Sequence, residues 1–361
     1  MTTPEAAFRA EFPVLDRVAY LNAGTDGPIP RRATEAAVER TRTELERGRS
    51  GQEHSDSTRQ LADRLRAQAA ALLGASAHEV ALTHSTTDGI NTVLSGLGLR
   101  PGDEVLTSDE EHPGVLAPLA EARRRDGIVV RVVPFDELPA AAGPSTRLIA
   151  ASHVSWVSGR VLDIGALAAS GAPLLLDGAQ GLGAVPVDVA RLGCDFYAAS
   201  GQKWLCGPDG VGYLYVRAER VEQVSAPWPN YLSLGDPTRA LEPDLHSDAR
   251  RFDTGVVPGP TAAWALAALE LLGEAGWLWL HERSLHLAEL LVGRLAERGR
   301  EPAPRGDSTL VSWRSADATA DVERLASERI VVRAIPGAGL VRASVGAWSA
   351  EADLERLAQL A

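Results

Sequence analysis

Short apolar runs that end in polar or turn-forming residues recur at EVALTHS (79–85), EVLTSDE (104–110), RLIAASH (147–153), PLLLDGA (173–179), DFYAASG (195–201) and GVGYLYV (210–216). Runs of this length, bounded by turn signals, predict buried strands. Between them GINTVLSGL (89–97) and GVLAPLAEARRRDG (114–127) carry apolar residues at helical spacing. Strands alternating with helices predict an α/β fold around a mostly parallel central sheet. Ligands of such sheets bind beyond the carboxyl ends of the strands, which is where Ser85, His112, Asp177 and Lys203 fall.

Past residue 220 the pattern changes. A polar, proline-containing stretch, SAPWPNYLSLGDPTRALEPDLHSDARR (225–251), precedes long amphipathic helices expected over 260–298. The tail then predicts strand LVSWR (310–314), helix DVERLASER (321–329), strands IVVRAI (330–335) and GLVRASV (339–345), and helix SAEADLERLAQL (349–360), an α+β unit. Single cores stop growing near about 250–300 residues, so a chain of 361 residues is expected to form two units. We expect a large domain over 15–259 and a small C-terminal domain over 260–361, joined by residues 1–14.

Composition narrows the class. The chain is 45% hydrophobic with a net charge of −12, which favours solubility and disfavours a general nucleic-acid or anionic-membrane partner. The opening MTTPEAAFRAEF lacks the basic-then-apolar order of a secretory signal, and no apolar run approaches membrane-spanning length. Cys194 and Cys206 suggest no disulfide framework, so a cytoplasmic location is expected, and the histidines form no metal-spacing cluster. One count stands out: of 36 Lys plus Arg residues, Lys203 alone is lysine. A coding bias toward arginine accounts for the absent lysines but not for the survivor. Only lysine supplies an amine that attacks a carbonyl when its pKa is lowered.

Five short motifs surround that lysine in sequence order. HSTTDGIN (84–91) puts Ser85, Thr86 and Thr87 at the start of a helix, as a phosphate cup or as an ordinary cap with Asp88. DEEHPGV (109–115) places His112 just after a strand. LLLDGAQ (174–180) ends an apolar strand on the carboxylate of Asp177, an unfavourable place without a cationic partner. SGQKWLCGP (200–208) holds Lys203 between Ser200, Gln202, Trp204 and Cys206, and RASVG (342–346) carries Arg342 in a strand-like segment.

In their order and spacing these motifs resemble the fold-type I pyridoxal-phosphate (PLP) enzymes, in particular the class V aminotransferase family that includes cysteine desulfurases and isopenicillin N epimerase. The resemblance runs from LNAGTDGPIP (21–30) to RASVG, nearly the whole chain. It implies a large PLP-binding domain, a small α+β domain, and a homodimer with the active site near the subunit interface. It implies that Lys203 bonds the cofactor aldehyde as a Schiff base and then serves as general acid and base at the substrate α-carbon. Asp177 would pair with the pyridine nitrogen, Gln180 with the ring's phenolic oxygen, and His112 would stack on the ring and relay protons. Ser85, Thr86, Thr87, Ser200 and Gln202 would hold the phosphate. Arg342 would clamp the substrate α-carboxylate, with Ala23, Gly24 and Trp156 also on the substrate side.

The sequence also departs from the family. Desulfurases usually carry histidine before the lysine, and here Gln202 stands there. The loop IVVRAIPGAG before Arg342 lacks the mobile cysteine that accepts sulfur in a desulfurase, and Trp156 replaces an asparagine. In RFDTGVVPGPT (251–261), the segment lent across the dimer interface, Val256 replaces a threonine, leaving Thr254 or Thr261 as its substitute. These departures favour a C–S lyase acting on a cysteine-derived amino acid by β-elimination. An aminotransferase or racemase/epimerase is the alternative, with cysteine desulfurase ranked behind them and a non-catalytic binding protein last.

Overall fold

In the computed structural model, which describes residues 4–361, the short strand β1 (Ala19–Tyr20) is followed by helices Arg31–Arg47 and Gly51–Leu73. Residues 1–3, grouped with the small domain in the sequence reading, lie outside the described residues. Next come β2 (Val80–Thr83), β3 (Glu104–Ser108), β4 (Val129–Val133), β5 (Thr146–Ser152), β6 (Leu174–Asp177), β7 (Phe196–Ser200) and β8 (Gly212–Val216). They form a 7-stranded sheet in the order β2-β8-β7-β6-β5-β3-β4. The sheet is parallel except at β8, which runs antiparallel to both of its neighbours. The chain has the α/β architecture that the alternation of strands and helices predicts.

The apolar runs read from the sequence are β2, β3 and β5 to β8. Strand β4 was not among them, because Arg131 interrupts its valines and Val129 and Val132 are exposed at the sheet edge. A charge on an edge strand is a common guard against unwanted pairing, and Arg131 is held there by Glu104 at 3.0 Å. The helix Arg31–Arg47 also escaped the reading, since Ala33 is its one buried residue and no apolar stripe marks it.

Helix Gly259–Ala275 sends Ala262, Ala265, Leu266 and Leu269 into the core beneath the large sheet, against Leu65, Leu73 and Tyr213. The expected domain boundary at residue 260 falls at the first turn of this helix. Helix Trp277–Glu297 turns instead to the C-terminal unit, where Leu287 and Leu291 meet Val311, Trp313 and Leu354. Trp313 is 1% exposed, and truncating such a side chain to alanine costs about 3–5 kcal/mol.

That unit holds β9 (Leu310–Arg314), β10 (Ile330–Val331), β11 (Arg333–Ile335) and β12 (Leu340–Ser344). The segment IVVRAI, expected as one strand, is divided. Its first half pairs in parallel with β1, joining Ala19 to Ile330, while its second half joins the antiparallel sheet β11-β12-β9. A bridge between Asn22 and Ser344 continues the link, so residues 22–24 run along β12. The end of the large sheet thereby faces the small one across a cleft. No helix among the described residues is long and apolar enough to cross a membrane.

Candidate active site

The cleft holds a cavity of about 250 Å³ between the carboxyl ends of β6 and β7 and the face of β11 and β12. Asp177 is the last residue of β6, 5% exposed, and its Oδ1 accepts the backbone N–H of Ala179 at 2.8 Å. Asp177 makes no ion pair among the described residues. A carboxylate desolvated without a counter-charge is destabilised, and burial raises its pKa while Lys203 opposes the rise. The strand end thus offers a charge that a cation in the cavity would complete.

Lys203 follows β7 in the turn Gly201–Gly207, closed by a bond from Gly207 N to Gly201 O at 2.9 Å. Its pKa is lowered to about 8, first by burial; Asp177 opposes this, and Arg342 and Arg333 add to it. Desolvation beside other cations is how a lysine amine becomes nucleophilic near neutral pH. Gln180 is already engaged at both ends of its amide, donating to Gly24 O at 2.7 Å and accepting from Trp204 Nε1 at 3.0 Å. One amide hydrogen remains free.

Ser85 is the N-cap of helix Thr86–Gly96 and accepts Asp88 N at 3.1 Å, so the capping expectation holds for that hydroxyl. The backbone N–H groups of the first turn have no intrahelical acceptor. Thr86 Oγ1 and Ser200 Oγ are buried with no partner among the described residues, as are Arg342 Nε and Trp156 Nε1. Unsatisfied buried polar atoms are uncommon in native proteins and call for an explanation. Thr86, Ser200, Arg342 and Trp156 all line this one cavity. A ligand bearing a phosphate and a carboxylate would satisfy them, so the residues present fit PLP together with an amino acid.

The opposite wall is cationic. Arg342, in the middle of β12, is 1% exposed and donates from Nη1 to Trp156 O at 2.7 Å. Burial pushes its pKa down to about 9, with Arg333 adding to the shift. Arg333 is its partner across the β11–β12 pair and donates to Thr25 Oγ1 at 2.9 Å. His112 caps helix Pro113–Asp126 and stands edge-to-face with Trp156, ring centroids 4.9 Å apart. A Cβ on Gly24 would lie 2.7 Å from Ser344 Oγ and 2.8 Å from Arg342 Nη2, so only glycine leaves the guanidinium in place.

Lys203, Asp177, His112, Gln180, Ser200, Gln202, Ser85, Thr86, Thr87, Arg342, Gly24 and Trp156 all line the cavity. Ala23 does not: it is fully buried against Phe12, Trp204 and Trp348 and packs the wall from behind. Thr254 and Thr261 also lie off the cavity, with Thr254 Oγ1 held 3.1 Å from His84 Nδ1. Arg333, Thr25 and Asp26 line it although the sequence did not mark them. Nor did it mark Glu111, buried behind His112, whose carboxyl accepts Ser108 Oγ and Ser152 Oγ, each at 2.6 Å. Burial raises Glu111 to about 7.

A lysine, a strand-end aspartate and a helix-start hydroxyl cluster at the end of this sheet define a fold-type I PLP-dependent enzyme. The chain belongs to the aminotransferase class-V family, whose model matches residues 19–357. It is 38% identical over 312 residues to a protein of Pseudomonas aeruginosa described as a probable cysteine desulfurase, covering 77% of this chain and 76% of that one. It is 32% identical over 362 residues to the isopenicillin N epimerase of Streptomyces clavuligerus, covering 92% and 84%. Among solved structures, a cystine C–S lyase in complex with its product cysteine persulfide superposes with a TM-score of 0.91 at 29% identity, covering 97% and 98%. A variant of it, with glycine covalently linked to the PLP cofactor, gives 0.92. These relatives do not support ranking cysteine desulfurase behind transamination and racemisation.

Proposed function

We propose that this enzyme cleaves the C–S bond of a cysteine-derived amino acid by β-elimination. The observation that carries this reading is the placement of the thiols. Cys194 and Cys206 are both buried and off the cavity, and burial pushes the Cys194 thiol up to about 12 and the Cys206 thiol higher still. Neither is poised as the thiolate that would take sulfur onto the protein. Sulfur therefore leaves with the product.

In this reading Lys203 would hold the aldehyde carbon of PLP, Asp177 its pyridine nitrogen, and Ser85, Thr86, Thr87, Ser200 and Gln202 its phosphate. The remaining N–H of Gln180 would be available to its phenolic oxygen. When bound, PLP supplies an electron sink for a carbanion at the substrate α-carbon. Arg342 holds the α-carboxylate, and its tie to Trp156 O limits where that carboxylate can sit. Released from the aldehyde carbon by the incoming substrate amine, the Lys203 amine would take the α-proton, and the C–S bond would break with its electron pair leaving on sulfur. Arg333 adds a second guanidinium without an ion-pair partner among the described residues, which suits a substrate with a second carboxylate, such as cystine.

We further infer a homodimer, supported by Leu45 and Val256, exposed by 82% and 59%, which line one surface groove beside Pro258. Two unpaired thiols suit a reducing cytoplasm. The second reading, cysteine desulfurase, is favoured by the similarity to the Pseudomonas aeruginosa protein. Incubating the PLP-loaded enzyme with cystine, cysteine and S-alkyl cysteines separates them. Elimination yields pyruvate, ammonia and a thiol or persulfide. Alanine with a persulfide trapped on Cys194 or Cys206 would establish the desulfurase instead, a keto acid that retains the sulfur side chain would establish transamination, and an inverted amino acid would establish epimerisation.

A further inference from the structure

We propose that His112 acts as a neutral hydrogen-bond donor through Nε2–H, with its tautomer fixed by the first turn of the helix it caps, and that it accepts no proton during the reaction. The ring nitrogen Nδ1 lies 2.9 Å from the backbone nitrogen of Gly114. A backbone N–H can only donate, so Nδ1 is the acceptor and carries no proton. In a neutral imidazole the ring proton then sits on Nε2. Which nitrogen of a histidine is protonated is usually open to assignment; here the amide decides it.

The surroundings reinforce the neutral form. Pro113, the first helical residue, has no N–H, so Gly114 presents the first orphan donor of helix Pro113–Asp126 and Nδ1 satisfies it. A proton on Nδ1 would face that N–H head-on and set a positive ring at the positive end of a helix. Burial first, then Lys203, Arg333 and Arg342 on other elements, lower the ring's pKa to about 4. The nearby carboxyl of Glu111 is turned to Ser108 and Ser152. The turn is also tight: a Cβ on Gly114 would lie 2.4 Å from Thr87 Oγ1 and 3.0 Å from Nδ1.

Nε2 has no partner among the described residues, and the ring lines the cavity. His112 can therefore donate to a bound acceptor without changing its own charge, stabilising negative charge that develops there. Nδ1 is the ring's one basic site, and a proton there would displace the Gly114 N–H and create the imidazolium that the helix end and three cations oppose, so the α-proton goes to Lys203. This rests on the cavity being the reaction site proposed above.

Nitrogen-15 NMR of histidine-labelled protein tests the tautomer directly, with the His112 signals assigned by their loss in His112→Gln. An unprotonated Nδ1 and a protonated Nε2, unchanged from about pH 6 to about pH 9, are expected with and without PLP. A protonated Nδ1, or titration within that range, would overturn the proposal. These shifts are read without substrate, so they answer even if no sulfur amino acid is turned over. Two variants separate donation from capping. Asparagine can replace the cap but not the Nε2 donor, whereas glutamine carries an amide donor to that position and caps poorly. We expect opposite orders: His112→Asn more heat-stable, and His112→Gln more active by about tenfold or more in kcat/KM. If activity instead follows stability, His112 is a structural cap and the proposal fails.

Discussion

The two walls of the cavity are built on different principles. On the large sheet, Asp177 is the last residue of one strand and Lys203 follows the end of the next, and each is presented by a turn of its own local sequence. On the small sheet, Arg333 and Arg342 sit side by side on different strands, brought together by antiparallel pairing. On the proposed function, the first wall would supply the nucleophile and its counter-charge, and the second two cations for the substrate. Reaction chemistry would then be anchored on the central sheet and recognition on the sheet across the cleft.

Substitutions in each wall sharpen the contrast. The largest effect is expected from Lys203→Ala, which removes the sole lysine: the visible absorbance of the PLP-bound form disappears and pyruvate formation falls by about 10⁴-fold. A reduced pyridoxyl group still covalently attached to this variant after borohydride treatment and dialysis would place the linkage elsewhere. A smaller effect is expected across the cleft. Losing a hydrogen bond to a charged group costs about 1.5–3 kcal/mol, or roughly 10- to 100-fold. Arg342→Ala should raise KM by this factor for every amino acid substrate, whereas Arg333→Ala should do so for cystine and not for S-methylcysteine. Equal effects on both substrates would mean that the two guanidiniums form one undivided clamp.

The last effect is on stability, with the least expected on turnover, and concerns the ground behind the reactive wall. The carboxyl of Glu111 has a folded-state pKa of about 7, raised from 4.5 chiefly by burial. The folded form therefore keeps a proton that the unfolded chain releases. Its contribution is full below about pH 4.5 and is lost as pH rises to about 7, a change of about 3 kcal/mol in unfolding free energy. Denaturant titrations across that range should show the decline, and Glu111→Gln should flatten it. A slope that survives the substitution would assign the titration to another group, Asp177 being the nearest.

This asymmetry also explains what could be read from the sequence. Asp177 and Lys203 stand at the ends of continuous apolar runs, where burial of a polar group is conspicuous. Ser85 to Thr87 open a helix and His112 caps one, and both positions leave a local trace. Arg333 leaves none: among 35 arginines its meaning depends on facing Arg342 across two strands, and the run IVVRAI read as a single strand hid the break at Val332. Ala23 shows the converse error, since belonging to the right motif did not put its methyl group on the cavity. Glu111 was invisible because its partners Ser108 and Ser152 lie on neighbouring strands.

The pairing of β1 with β10, which ties residue 19 to residue 330, has a consequence for how the enzyme comes into being. Domains emerging from the ribosome fold as units, early segments first. The large sheet, complete by Val216, can form while much of the chain is still being made. Gly24, however, takes its place only against Ser344 and Arg342, which follow every strand of the large sheet in the chain. On the proposed function, a nascent or truncated chain can therefore carry Lys203 and the Ser85–Thr87 helix start while lacking the wall of Arg333 and Arg342, so selectivity would be acquired after reactivity.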